Sequence, residues 1–141
     1  MKKESIMNRK HFYIIAGIFI LALAGCSIKK EDTKKIQDID FTEVAPEDVP
    51  EELKEDIEKA RDTPFRLTYA DQGYLYMARG YGEKEKTGYS VEVNACYETS
   101  DAIRIQTTLL GPAKGEKTKE KKTYPYVVMK TEYREKDVIF E

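Results

Sequence analysis

The residues that could give this chain covalent or acid–base chemistry are few. It holds one histidine, His11, and two cysteines, Cys26 and Cys96. Histidine is the usual general base near neutral pH, and a thiol needs a basic or cationic neighbour before it becomes a nucleophile. Cys96 stands in a run, Tyr89 to Glu98, whose alternation puts it on the polar side of a strand with no His or second Cys beside it, so an inert thiol is expected. Carboxylates are plentiful, but Glu51, Glu52, Glu55 and Asp56 lack the loop spacing of a calcium site and read as a solvated helix face. Glu92, Glu98 and Asp101 are the acids an enzyme would have to use, and nothing in their spacing makes a constellation. Gly80-Tyr81-Gly82 begins like a dinucleotide fingerprint, without its third glycine or a βαβ context. The expectation is a non-enzyme with no metal and no cofactor.

The 141 residues suit one domain, and 24 basic against 26 acidic residues give a net charge of −2. That balance offers no electrostatic case for nucleic acid as a partner.

The first 25 residues read as a targeting segment. Lys2, Lys3, Arg9 and Lys10 face one acid, Glu4, and an apolar run follows from Phe12 to Gly25. A bilayer-spanning helix needs about 20 apolar residues, so a secretory signal fits better. Leu23-Ala24-Gly25-Cys26 resembles the lipobox of bacterial lipoproteins. The resemblance implies cleavage between Gly25 and Cys26, a thiol joined to diacylglycerol with palmitate-type acyl chains, and a membrane anchor. Each buried acyl CH₂ contributes about 0.8 kcal/mol, so two or more chains hold where one would be marginal. The expected location is extracytoplasmic, on the bacterial cell membrane; Ser27 after Cys26 makes the outer membrane the default in a diderm. Cleavage removes His11, four bases and one acid, which takes the net charge to −5 and leaves Cys96 as the one unmodified thiol.

Residues 26–39 are mostly charged and without period, a flexible tether reaching about 20 Å from the lipid. Residues 40–141 form the globular domain. Asp40 to Val44 reads as a short strand, and Val49, Leu53, Ile57 and Ala60 place one apolar stripe on a helix over about 50–61, with acids early and Lys59 and Arg61 late. Pro50 suits the first helical turn. Strands follow at Phe65–Ala70, Tyr74–Tyr81, Tyr89–Tyr97 and Ile103–Leu109, the last two a hairpin by their period of two. Tyr126-Val127-Val128-Met129 is apolar on both faces, a strand covered on both sides, and Val138-Ile139-Phe140 closes the sheet. Lys114–Lys122 reads as a solvated hairpin loop. The fold class is α+β, mostly β: one N-terminal helix packed on a small antiparallel sheet or sandwich of about five to seven short strands.

Four segments carry a family resemblance: Tyr74–Gly80, Thr87–Val93, Leu110-Gly111-Pro112 and Thr123–Lys130. Their order and spacing over about residues 65–135 resemble the PrcB C-terminal domain family. One departure is Thr87-Gly88, where the family commonly has two glycines before Tyr-Ser. The family is named for a lipoprotein subunit of a surface protease complex, so the resemblance implies an accessory role in the assembly or stability of a protease.

From the residues themselves, Gly88 before a strand can supply positive φ or let another segment approach closely. Tyr124-Pro125-Tyr126 sets two tyrosines two apart around a proline that cannot donate to a ladder. With Tyr89 these make the candidate binding surface, either an aromatic platform or core aromatics. Nine of ten tyrosines lie between Tyr69 and Tyr133, too many for a small core to bury, so some exposed aromatic surface is expected. The expected function is a lipid-anchored, non-enzymatic accessory or binding domain with a protein partner. The alternatives are a protease inhibitor presenting Glu83 to Thr87, or a cell-envelope module for carbohydrate or peptide.

Overall fold

A computed structural model describes residues 33–141. The segment 1–25 expected to be a signal, the Gly25–Cys26 position expected to be cleaved and lipidated, and the first part of the expected tether lie outside the described residues.

The helix α1 spans Glu51–Ala60. Pro50 sits one place earlier than expected, capping it with extended backbone (φ −54°, ψ 143°). Its carbonyl accepts the Lys54 N–H at 2.8 Å, so the missing proline N–H costs nothing. Leu53 and Ile57, four apart, turn the same face inward and are buried.

The described residues also form eight strands, counting two of only two residues each: β1 Gln37–Asp38, β2 Thr42–Glu43, β3 Pro64–Asp71, β4 Tyr74–Tyr81, β5 Ser90–Glu98, β6 Ala102–Leu110, β7 Tyr126–Glu132 and β8 Asp137–Phe140. They make two four-stranded sheets, ordered β1-β5-β6-β8 and β2-β7-β4-β3. The protein is thus mostly β with one helix and two small sheets. Leu75, Met77, Val127 and Met129 of one sheet meet Ile103, Ile105 and Cys96 of the other in one buried cluster. On the far face of the second sheet, Tyr76, Ala78, Val128 and Phe65 receive Val49, Leu53 and Ile57. β7 is therefore covered on both faces, as its unbroken apolar run predicts.

Several expectations need correction. The fold starts before Asp40: β1 pairs with β5, and Ile39 is a core residue, so the tether ends earlier than 39. Two paired residues are too few for periodicity to register. The sheet is not wholly antiparallel, because β8 runs parallel to β6. The short 133–136 link joins strands of different sheets, so its length imposes no hairpin. The Lys-rich segment likewise connects β6 in one sheet to β7 in the other and is not a hairpin loop.

The β5–β6 hairpin forms as expected, with one irregularity. Its register slips between Val93 and Ala95, leaving Asn94 as an extra residue. The alternation changes phase there, so Cys96 turns into the inter-sheet core instead of toward the polar side. Burial pushes its thiol pKa up to about 11, which keeps it protonated.

Candidate binding groove

The local chemistry of Tyr124-Pro125-Tyr126 follows from its position at the start of β7. Pro125 cannot donate, but its carbonyl accepts the Tyr81 N–H of β4 at 3.1 Å. Tyr126 then pairs opposite Gly80, where the absence of a side chain lets the Phe65 ring lie across β4. Phe65 and Tyr126 pack with centroids 6.4 Å apart. Burial, with Glu58 behind it, raises the pKa of the Tyr126 hydroxyl.

On its other side β7 has a much shorter neighbour. β2 contributes two pairs, Thr42 with Lys130 and Glu43 with Met129, and Val44 adds one bond from its N–H to the Val128 carbonyl at 2.9 Å. The chain then leaves as the 3₁₀ turn Pro46–Asp48. Between the departing segment and the start of β7 lies an open groove of about 500 Å³, lined by Val44, Pro46, Tyr124, Pro125 and Tyr126 with Glu43 at its rim.

Three of the five candidate residues are thus brought together, as core aromatics and groove wall at once. Gly88 and Tyr89 do not line the groove. Gly88 adopts φ +105°, and a Cβ there would come within 2.8 Å of Pro112, so both roles expected of it are present. Thr87, standing where the family commonly has another glycine, accepts the Lys119 N–H on its hydroxyl at 2.9 Å.

The exposed aromatic surface is smaller than the tyrosine count suggests. Only Tyr74 and Tyr133 are exposed among the described residues, while Tyr76 is buried. Several rings carry a cation: Arg61 lies 4.1 Å from the Tyr124 centroid, Arg79 4.1 Å from Tyr81, Lys130 4.1 Å from Tyr74, and Lys84 6.0 Å from Tyr89. The Arg61–Tyr124 and Lys130–Tyr74 partners come from distant segments, so no local pattern announces those two.

The acids considered for catalysis are held apart in structural bonds. Glu98 is gripped by Lys136 at 2.6 Å and by Gln37 at 2.8 Å, and that hydrogen bonding, led by Lys136, holds its carboxyl below the ordinary range. Asp101 accepts the Thr99 hydroxyl at 2.9 Å, and Glu92 accepts from Asn94. Among the described residues no three His, Cys, Asp or Glu side chains converge as a metal site requires. None of their helices is long and apolar enough to cross a membrane.

Residues 75–132 match the PrcB C-terminal family. The resemblance read from the sequence therefore holds, over a span narrower than 65–135. The PrcB C-terminal match runs from the second residue of β4 to the end of β7, taking in strands of both sheets and all five candidate residues. It leaves out β1, β2, α1, β3 and β8. No curated protein and no solved structure matches the chain.

Proposed function

We propose that this chain is an exported lipoprotein, anchored to the bacterial cell membrane through Cys26, whose folded part is a non-enzymatic accessory domain supporting the assembly or stability of a surface protease complex. The observation that carries this reading is the PrcB C-terminal match over residues 75–132, which includes the Tyr124–Val128 wall of the groove. The signal-like start and the Leu23-Ala24-Gly25-Cys26 pattern support the anchor.

The geometry favours this reading over an inhibitor loop and over a carbohydrate-stacking module. An inhibitor loop has to present itself freely, but Glu83 to Thr87 is stitched to the neighbouring connection. Lys84 and Thr123 exchange backbone bonds at 2.8 and 2.9 Å, and Thr87 N–H reaches the Lys119 carbonyl at 3.0 Å. A sugar-stacking platform needs bare ring faces, and the rings of Tyr124, Tyr81, Tyr74 and Tyr89 carry cations.

The test is crosslinking and affinity recovery of the lipidated protein from intact cells, compared with Cys26→Ala. The expected result is a co-purifying protease whose yield falls when the protein is deleted, together with loss of membrane partition in Cys26→Ala. Recovery of no protein partner under several crosslinking conditions overturns the accessory role. Inhibition of a protease by the purified protein, with no effect on protease yield, favours the inhibitor reading instead.

A further inference from the structure

We propose that the open edge of β7 at Tyr126 receives an extended, basic peptide segment as an added β-strand. The proposal deepens the accessory-domain reading and rests on it, since it names the chemistry of the partner segment.

The first support is the ladder. Tyr81 N–H bonds the Pro125 carbonyl, so odd-numbered β7 residues point their backbone groups toward β4. Val128 turns its carbonyl the opposite way, to the Val44 N–H, and Tyr126, two residues earlier, faces that same side. Carrying the β2–β7 register onward from Glu43–Met129 brings Pro46 opposite Tyr126. Proline has no N–H to give, and Pro46 opens the 3₁₀ turn that carries the chain away. Among the described residues nothing bonds the outward N–H and carbonyl of Tyr126, and they face the groove. A strand edge of this kind recruits another strand through main-chain bonds, with side-chain pockets setting preference.

The second support is charge. Glu43 lines the groove and Glu47 follows on the 3₁₀ turn, and neither has a basic partner among the described residues. Arg61, the cation beside Tyr124, is occupied by that ring and by Glu58 at 3.8 Å. An entering segment with Lys or Arg on one face neutralises the free acids, and its apolar face meets Val44, Pro46 and the tyrosines.

The experiment uses the full-length protein in detergent and a short peptide of alternating valine and lysine. Amide hydrogen exchange is read at Tyr126, and affinity by fluorescence anisotropy. Binding is expected to slow exchange of the Tyr126 amide while the Met77 and Met129 amides stay as they were. N-methylating alternate peptide amides should weaken binding by about tenfold, the loss expected for main-chain hydrogen bonds. Glu43→Lys, at an exposed position, should weaken the lysine peptide and strengthen one of alternating valine and glutamate. Tyr126→Ala risks the packing against Phe65, so Glu43→Lys is the primary variant. Unchanged exchange at Tyr126, equal binding of the N-methylated peptide, or indifference to Glu43→Lys overturns strand addition. So does concentration-dependent protection of Tyr126 without peptide, which would mean a second copy pairs there. A protease partner retained by Glu43→Lys in the crosslinking test, with no peptide binding, leaves the accessory role standing and removes only this inference.

Discussion

The two sides of β7 differ in how completely they are used. Toward β4 it makes seven consecutive pairs, Tyr126 to Glu132; toward β2 it makes two and a single further bond. The β4 side is tightly packed: Met77, Ala78 and Met129 are fully buried, and a Cβ at Gly80 would run into the Phe65 ring. The β2 side ends on a proline and an open groove. One strand thus serves as the central member of a packed sheet along one edge and as an accessible edge along the other. Stability and the proposed strand addition can therefore be altered separately.

The largest effect should come from breaking the β4 side. Met77→Ala removes a side chain at the centre of the inter-sheet cluster and should cost about 2–5 kcal/mol, measured by urea unfolding. A cost near that of a surface change would mean the two sheets are not packed as described. Gly80→Ala drives a methyl into the Phe65 ring and should cost about 1–3 kcal/mol. Adding Phe65→Leu should recover part of that loss, because the ring is what the methyl meets; no recovery would place the strain elsewhere.

The other two-residue strand gives a subtler test. β1 is held to β5 partly through Gln37, whose amide donates to the Glu98 carboxylate that Lys136 also binds. The folded protein lowers the Glu98 pKa, so the carboxylate's contribution is complete above its unfolded value of about 4.3 and is lost as pH falls through the lower folded value. Melting temperatures of the wild type and Glu98→Gln should differ most near neutrality and converge in acid. A constant gap would show that the pair contributes only packing. Smallest of all, Glu43→Lys on the β2 side should change stability by less than about 0.5 kcal/mol while it alters peptide binding.

Much of this contrast can be read in the amino-acid order, and the unread part has physical causes. The β5–β6 hairpin is legible because nine residues of alternation overdetermine it, and β7 because Val127, Val128 and Met129 leave no polar face. The helix is legible from Leu53 and Ile57. β2 is legible only as part of a longer Asp40–Val44 strand, and β1 is not legible, since two residues carry no period and its pairing is dictated by a distant strand. The parallel β8 is hidden because a short link predicts proximity, not membership of the same sheet. Within the groove, Tyr124-Pro125-Tyr126 stands out by type. The missing rung opposite Tyr126 depends on where Pro46 falls in a register that only the folded chain defines.

The slip at Asn94 has a consequence for the molecule's redox life. Strict alternation would have presented the Cys96 sulfur to solvent, where a lone thiol in an oxidising compartment forms mixed disulfides or links two copies covalently. One extra residue in the strand turns it into the inter-sheet core instead, where the buried sulfur is shielded from oxidants and from other thiols. The inserted asparagine thereby does the protective work that a second cysteine would otherwise have to do.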